Sequence, residues 1–469
     1  MKPSTQSVLG EAADAVWNAE NYRALGLLHK LDVAGASALR GRVFLRTGRL
    51  ALAIREFETR AALTTTSRAE AIALATSANF ALCASGDFAR AREVVGWAAA
   101  QLDERSDPLL RIEQRYMSAV GAFMRGDDTA EAQAQAALAL AFEYPHADAR
   151  SDFQWELNHL RGRLLDLLGG IALVRGDFKA QEDHLVQALF SVRLVRNREY
   201  WFEASLLSNL AVLVKHFPWT RGKQMLVAHA ATIPWNSELD DKRIYVKLGL
   251  RQHRRIFGDD TLSGGILTDT APTLAWRIHS CVESLLCVDW DAAAPFDAEI
   301  RYGLSLAERV DFDQTRGEEV SSLLSLAMLV ATEEPAAAHQ LRSRYASRMA
   351  TVPPSFVVVR APVRFAQEAF ADACIAKGDG DFATASKRFA DAARLWSRLG
   401  LTHWAAAAGL ERFTISRDDA DLAAARSFLK QYPATEFGRR VARALGAARE
   451  CERADFIYLN PWRMQQAVS

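Results

Sequence analysis

Gly86-Asp87-Phe88 is one copy of the short motif that decides the fold of this chain. The same tripeptide occurs at Gly176-Asp177-Phe178 and Gly380-Asp381-Phe382, with near-variants at Gly48-Arg49-Leu50 and Gly126-Asp127-Asp128. Glycine ends a helix at low cost because it accepts a positive φ. Aspartate caps the next helix by accepting hydrogen bonds from its first N–H groups, and we expect the aromatic side chain to fill the joint. Each copy therefore predicts that one helix ends and another begins.

The turns recur at a spacing typical of helical repeats. From Gly48 through Gly86 and Gly126 to Gly176, successive glycines are 38, 40 and 50 residues apart. The interval from Gly176 to Gly380 has room for about five further units of similar length. Each unit is predicted to form a pair of antiparallel helices that packs against the next pair. The chain is therefore expected to be all-α.

Small and aromatic residues around these turns resemble the tetratricopeptide (TPR) family. That family places a small residue and an aromatic before its turn glycine, and alanine, an aromatic and alanine after it. The residues that match this pattern are Gly41, Phe44, Ala53 and Phe57 around Gly48, Ala385, Phe389 and Ala392 around Gly380, Ala91 and Ala98 around Gly86, and Leu168-Gly169 and Ala188 around Gly176. The resemblance covers about residues 35–195 and 365–410 and extends to the middle of the chain only by analogy.

The resemblance implies an α-solenoid of antiparallel helix hairpins, wound as a TPR-like right-handed superhelix. The repeat intervals exceed the 34 residues of the standard unit, and in this they resemble the long-helix TPR-like sensor domains of bacterial regulators. The first helices of successive repeats would line a concave groove. Such a groove could bind a peptide, a protein partner or a small effector.

Composition and charge narrow the class of protein. Half of the residues are hydrophobic, and Lys plus Arg and Asp plus Glu total 57 each, so no overall field favours nucleic acid or an anionic membrane. The beginning of the chain has no apolar leader, and the longest uncharged run, Ala71 to Gly86, is interrupted by polar residues. Five cysteines without a C-x-x-C pair fit reduced thiols. We therefore expect a cytoplasmic protein with no membrane partner.

One segment is expected to divide the repeats. Phe257 to Pro272 is rich in Gly, Thr and Asp and lacks a helical apolar period. We interpret 257–273 as a junction loop between N-terminal helical repeats over 1–256 and C-terminal repeats over 274–469. The apolar tail from Phe456 to Trp462 is expected to cap the last hairpin, as the end of a repeat array requires.

Charge is unevenly distributed along the chain. From Arg193 to Arg255 the bases exceed the acids by seven, whereas from Asp259 to Glu319 the acids exceed the bases by nine. Aromatic residues are interleaved with the bases, at Trp201, Phe202, Phe217, Trp219, Trp235 and Tyr245. Cations beside rings could bind phosphates, stack bases or hold an acidic peptide. We favour the alternative that the rings fill the repeat core and the bases form a solvated face. The opposite charges could also pair two copies of the chain as a homodimer.

No arrangement of residues indicates catalysis. His279, Glu283 and Cys287 recur every four residues and could share a helix face, but they match no zinc-binding motif. Gly378-Asp-Gly-Asp-Phe382 lacks a Walker lysine and is interpreted as a repeat turn rather than a phosphate loop. Glu182-Asp183-His184 is interpreted as a solvated helix face. We therefore expect a non-enzymatic protein with no metal and no cofactor.

The expected ligand-binding residues are polar or aromatic side chains that do not fit the packing pattern of the repeats. They are Asn158, Arg161, Arg163, Trp201, Asn209, Lys215, Arg243 and Lys247. Asparagine suits a groove because its amide can both donate to and accept from a ligand, although many asparagines only cap helices. Two other functions remain open. One is a TPR-type transcription regulator or sensor that acts on DNA or polymerase through a partner; the other is a nucleic-acid-binding solenoid that uses the basic segment 193–255.

Overall fold

A computed structural model of the chain describes most of its residues. The described ranges are 4–63, 65–144, 152–193, 199–218, 220–258, 296–309, 318–332, 334–352 and 357–450. Within these ranges the regular structure is entirely helical, with no strand. The predicted all-α class is therefore confirmed. Most of the expected junction loop, the His279, Glu283 and Cys287 set and the apolar tail lie outside the described residues.

The described helices have the following order along the chain. Those of the first part are α1 Thr5–Trp17, α2 Asn21–Leu28, α3 Ala34–Arg46, α4 Leu50–Arg60, α5 Arg68–Ala84, α6 Phe88–Ala100, α7 Pro108–Arg125, α8 Ala130–Phe142, α9 Asp152–Arg175, α10 Phe178–Arg193, α11 Tyr200–Val214, α12 Thr220–Ala230 and α13 Asp240–Phe257. Those of the second part are α14 Phe296–Arg309, α15 Glu318–Val330, α16 Pro335–Thr351, α17 Val357–Arg360, α18 Pro362–Gly378, α19 Phe382–Arg398, α20 Thr402–Ser416, α21 Ala423–Gln431 and α22 Glu436–Glu450. Short 3-10 turns precede α13 and α21, at Ser237–Leu239 and Asp419–Leu422.

Each of the five predicted turns has the same backbone geometry. A left-handed glycine with φ between 75° and 80° stands at Gly48, Gly86, Gly126, Gly176 and Gly380. The next residue donates its N–H to a carbonyl five positions earlier, as from Asp87 to Leu82 at 2.9 Å and from Asp381 to Ala376 at 2.8 Å. This is the Schellman bond, which satisfies an otherwise unpaired carbonyl at a helix end.

Two further turns use this geometry where the Gly-Asp-Phe motif is absent. Ala19 has φ 59° and Gly400 has φ 72°. The residues that follow them, Glu20 and Leu401, donate to Ala15 at 2.8 Å and to Trp396 at 2.9 Å. The motif therefore predicted some of the turns and missed others that close helices in the same way.

The aspartate and aromatic positions of the motif behave differently from each other. The side chains of Asp87, Asp177 and Asp381 accept the backbone N–H three residues later, at 3.2, 3.0 and 3.1 Å, so the predicted capping is confirmed. Phe178 is buried, but Phe382 is 44% exposed. The expectation that the aromatic fills every joint is therefore wrong for the third copy. In that copy the Asp381 cap and the left-handed Gly380 are present without a buried aromatic side chain.

The chain divides into two compact units. The first comprises Met1–Leu210, Gln224–Lys242 and Pro353–Val357, and the second comprises Ala211–Lys223, Arg243–Val352 and Val358–Ser469. The basic segment 193–255 therefore contributes residues to both units rather than forming a single surface within one of them.

In the first unit the helices pack in chain order. Each helix from α1 to α10 contacts the next, and the odd-numbered helices α1, α3, α5, α7 and α9 also contact one another in succession. Ala53, Ala91 and Ala98, which belong to the TPR-like pattern, have no exposed surface. Small side chains at these contacts let neighbouring helices approach closely, while larger apolar residues fill the space between them.

In the second unit the helices from α18 to α22 also contact their successors. Ala385, Phe389 and Ala392 are fully buried there. A buried ion pair joins α18 to α20, because the Lys377 ammonium donates to Glu411 at 2.8 Å and to the Thr414 hydroxyl at 2.7 Å. No helix in the described part of the chain is both long and apolar enough to cross a bilayer.

We expect the left-handed turns to respond to alanine in the opposite way from helix interiors. Gly86→Ala should lower the free energy of unfolding by about 1–2 kcal/mol, because a Cβ is disfavoured at positive φ. Gly96→Ala, at an exposed position inside α6 with open space for a Cβ, should raise it by about 0.5–1 kcal/mol. Urea denaturation of both variants measures the difference. Shifts of the same sign would contradict this account of the turn.

Candidate functional site

A cleft lies within the first unit. It has a volume of about 320 Å³, and every residue that lines it lies on α1, α3, α5, α7 or α9. On α5 the lining residues Ala69, Ala73, Thr76 and Phe80 recur every three or four positions, so they form one face of the helix. The opposite, apolar side of these helices is buried in the core. Because the odd-numbered helices contact one another in succession, the faces that line the cleft form one continuous surface.

Aromatic side chains form one wall of the cleft. The ring centroids of Trp17 and Trp155 are 4.9 Å apart in an edge-to-face contact. The Trp155 ring is stacked on the His159 imidazole, with 5.9 Å between centroids and 6° between planes. Phe80 also lines the cleft. These rings offer apolar surface to a flat or aromatic group.

Three arginines lie at or beside the cleft, and two of them have ionic partners. Arg163 lies 3.7 Å from Glu113 and 4.4 Å over the Tyr116 ring. Burial lowers the pKa of Arg163, but Tyr116 and Glu113 outweigh that effect and the pKa is raised. Arg46 pairs with Glu199 and donates to the Val16 carbonyl at 2.8 Å.

The third arginine, Arg42, has no such partner. Its guanidinium lies 5.1 Å over the Trp17 ring, and within the described part of the chain it makes no ion pair or hydrogen bond. Burial, and then the charge of Arg163, lower the pKa of Arg42 to about 10. The guanidinium still carries its charge at neutral pH. It is therefore a half-buried cation that faces the cleft beside a second cation.

His159 links the aromatic wall to the arginines. Its Nε2 lies 2.9 Å from an oxygen of Glu199, the same carboxylate that pairs with Arg46. Burial, followed by the charges of Arg163, Arg42 and Arg46, holds the pKa of His159 well below its usual value. A neutral imidazole must donate through Nε2, because the carboxylate can only accept. This bond fixes the ring against Trp155.

Acidic residues also line the cleft. Glu113 accepts a hydrogen bond from the Thr76 hydroxyl at 3.2 Å, in addition to its contact with Arg163. Glu70 forms a capping box with Ser67 at the start of α5. Glu156 is exposed at the cleft. The cleft therefore contains both signs of charge, and Glu113 and Glu70 also have structural roles.

Of the predicted binding residues, the structure brings Arg163 to this cleft. Asn158 and Arg161 lie in the core, each 2% exposed, rather than on a groove surface. The Arg161 guanidinium donates to Asn158 at 3.0 Å and to the carbonyls of Ala141 and Tyr144 at 2.8 and 3.0 Å. These residues attach α9 to the end of α8, because a buried guanidinium needs several acceptors.

The other predicted residues lie apart from the cleft. In the first unit, Trp201 is half-buried with Arg46 and Lys242 over its ring at 5.2 and 4.7 Å. Asn209 is exposed and donates to Asp166 at 3.4 Å. In the second unit, Lys215 lines a small pocket of about 40 Å³, while Arg243 is half-buried and Lys247 exposed.

The sequence analysis missed Arg42, Trp17, Trp155 and His159. A signal was present, because Arg42 directly follows Gly41, a small residue of the TPR-like pattern, and that resemblance implies a position on a first helix of a repeat. The Glu182-Asp183-His184 cluster also differs from the expectation of a solvated face. Glu182 is 1% exposed and pairs with Lys179.

The described rings of the basic segment are buried or half-buried, and none is exposed. The Phe, Trp and Tyr rings among them are Tyr200, Trp201, Phe202, Phe217, Trp235 and Tyr245. The Trp235 indole N–H donates to the Ala230 carbonyl at 3.0 Å. This placement agrees with the favoured interpretation that the rings fill the repeat core.

The second unit contains a buried pair of histidines. Nδ1 of His216 lies 3.3 Å from Nε2 of His403, and the rings are stacked with centroids 5.5 Å apart. Burial lowers the pKa of His403 to about 3, and Lys215 adds to the effect. Burial, then Lys215 and then His403, also hold the pKa of His216 well below its usual value. Both imidazoles are therefore neutral at physiological pH.

This pair predicts a loss of stability in mild acid. The folded pKa of His403 lies below its unfolded value, so the unfolded chain binds the proton first, and stability present above about pH 6.5 falls as the pH decreases toward 3. His403→Phe removes this titration and should reduce the stability difference between pH 7.5 and 5.5 by about 1.4 kcal/mol. Chemical denaturation at the two pH values measures it. Parallel losses in the variant and the original chain would contradict the prediction.

Neither metal-ligating side chains in the described ranges nor similar proteins assign a function to the chain. In the described ranges, no group of three His, Cys, Asp or Glu side chains lies close enough to hold a metal ion. Comparison of the sequence with protein-family models and with curated proteins finds no match. The function is therefore inferred from the geometry of the cleft and its residues.

Proposed function

We propose that this chain is a non-enzymatic, TPR-like binding scaffold whose cleft in the first unit holds a peptide, a segment of a partner protein or a small effector. The observation that carries the proposal is that the cleft is lined by consecutive odd-numbered helices. In a TPR-like solenoid these would be the first helices of successive repeats, whose side chains form the concave surface. The repeated left-handed turns and the small residues at helix contacts support the same architecture.

The size of the cleft favours a small ligand or a short part of a larger one. Pockets for small molecules commonly enclose about 300–1,000 Å³ and combine apolar walls with a few polar groups. The 320 Å³ cleft lies at the lower end of this range. Its aromatic wall and its arginines supply both kinds of surface. One aromatic side chain, or an effector of similar size, fits this volume.

Binding is a better account than catalysis because the reactive groups are already engaged. The neutral His159 imidazole donates to Glu199. The Thr76 hydroxyl lies 3.0 Å from the Ile72 carbonyl of its own helix and 3.2 Å from Glu113. General acid–base catalysis instead needs a group that can exchange protons with the substrate at working pH. The cleft residues favour recognition of a ligand.

A regulatory role is consistent with this proposal. The repeat intervals resemble those of TPR-like sensor domains in bacterial regulators. A ligand that contacts several helices of one array can change their relative placement, and through it the binding of a partner protein.

A pair of tryptophan substitutions tests the proposal. Ala73→Trp fills the cleft from α5, whereas Ala89→Trp adds the same side chain at an exposed position of α6 outside the cleft. Each protein is incubated with the low-molecular-mass fraction of a cell extract, and the bound compounds are identified by mass spectrometry after denaturation. We expect compounds that are retained by the original chain and by Ala89→Trp and lost from Ala73→Trp. Equal retention by all three proteins, or retention by none, would overturn the proposal.

A further inference from the structure

Arg42 is the one arginine of the cleft region that stands without an acceptor in the described part of the chain. Arg163 has Glu113, and Arg46 has Glu199 and the Val16 carbonyl. Each of these pairs satisfies a charge that the fold has partly removed from water. Within the described residues the one direct contact of the Arg42 guanidinium is with the Trp17 ring, which attracts a cation but offers no hydrogen-bond acceptor, while Glu113 and Glu156 act on Arg42 through their charges alone.

Leaving Arg42 in this position opposes folding. A cation that is partly removed from water loses hydration, and the positive charge of Arg163 repels it; the attraction of Glu113 and Glu156 does not offset these two effects. At a partly buried position where a charge lowers stability in this way, an acidic partner or a shorter side chain is usual. The position faces a cleft, so an anion from solution can supply the missing acceptor.

The surroundings of Arg42 restrict that anion. Trp17 lies under its guanidinium, and Trp155 contacts the Trp17 ring edge to face. A flat apolar group bound beside Arg42 would therefore rest on indole surface. The ring of Phe80 borders the same cleft. These contacts favour a ligand whose charged group is attached close to an aromatic ring.

The acidic residues of the cleft restrict the charge of the ligand. Glu70, Glu113 and Glu156 all line it, and one free guanidinium offsets one negative charge only. A ligand with a second negative charge would approach these carboxylates without a further unpaired cation to balance it. Like charges in a partly desolvated site repel strongly. These carboxylates therefore oppose a second negative charge on a ligand whose first negative charge pairs with Arg42.

We propose that the cleft recognises an aromatic monocarboxylate, whose carboxylate accepts hydrogen bonds from Arg42 and whose ring packs against Trp17 and Trp155. This inference rests on the proposed binding function of the same cleft. A planar guanidinium can donate two parallel hydrogen bonds to a carboxylate. The same chemistry is presented by a free aromatic acid and by the C-terminal aromatic residue of a peptide, and the experiment distinguishes the two sources.

Matched acids and amides test the proposal by isothermal titration calorimetry. Phenylacetate and phenylacetamide share a ring and differ in the negative charge, and N-acetylphenylalanine and its amide do the same for a peptide C-terminus. We expect at least one acid to bind, and to bind more tightly than its amide by about 10- to 100-fold. Preference for phenylacetate indicates a free acid, and preference for N-acetylphenylalanine indicates a peptide end. Phenylsuccinate, a dianion at neutral pH, should bind more weakly than the preferred monoanion.

Arg42→Gln should reduce the affinity of the preferred acid by about 10- to 100-fold and leave the affinity of its amide unchanged. Arg92→Gln, which removes an exposed arginine of α6 outside the cleft, should have the affinities of the original chain. Thermal unfolding checks that both variants remain folded, and Arg42→Gln should be no less stable because Arg42 has no ionic partner to lose.

Three outcomes would overturn the inference: no binding of either acid, equal binding of acid and amide, or unchanged acid affinity in Arg42→Gln. These outcomes can be distinguished from a failure of the proposed binding function itself. If cell-derived compounds are lost from Ala73→Trp yet none is an aromatic monocarboxylate, the cleft binds ligands and the assigned chemistry is wrong. If Ala73→Trp loses nothing, the binding function is wrong as well.

Discussion

The bond between the residue after each left-handed turn and a carbonyl in the preceding helix is the constraint on which the rest of the structure depends. At Asp87, Asp177 and Asp381 this bond closes one helix, and the aspartate side chain opens the next. A turn built in this way fixes the direction in which the chain returns. Because the first unit repeats it, odd-numbered helices contact one another in succession. The cleft and its charged side chains occupy the face that this succession creates.

The turns were predictable because their cause is local. A positive φ favours glycine, and an N-cap needs a short side chain that accepts a hydrogen bond. Both requirements therefore appear as adjacent residues in the sequence. Ala19 shows the limit of this argument, since it takes φ 59° without being glycine. An alanine pays about 1 kcal/mol or more for that conformation; Ala19 is fully buried, and the Asn236 amide donates to the carbonyls of Asn18 and Ala19 at 3.2 and 3.5 Å. No pattern in three adjacent residues reveals such contacts.

The candidate site was harder to predict because it is assembled from residues far apart in sequence. Asn158 and Arg161 were selected as polar residues that do not fit an apolar pattern, but their hydrogen bonds to each other and to backbone carbonyls bury them. Arg163, two positions later on the same helix, faces the cleft. At about 100° per residue, two positions correspond to about 200° around the helix axis, which separates the buried Arg161 from the cleft-lining Arg163. Whether an arginine has an acidic partner likewise depends on other helices, as Glu113 on α7 shows for Arg163.

Because residues of five odd-numbered helices line the cleft, its shape depends on how these helices are twisted relative to one another. Arg42 lies on α3 and Trp155 on α9, and the chain between them passes through the turns at Gly48, Gly86 and Gly126. A small rotation at each turn adds to the next, so the separation of the two side chains measures the accumulated twist of that part of the unit. For the proposed binding scaffold, ligand affinity and torsional stiffness would then be linked in both directions. A partner that wound or unwound these helices would alter what the cleft can hold, and an occupied cleft would resist the winding.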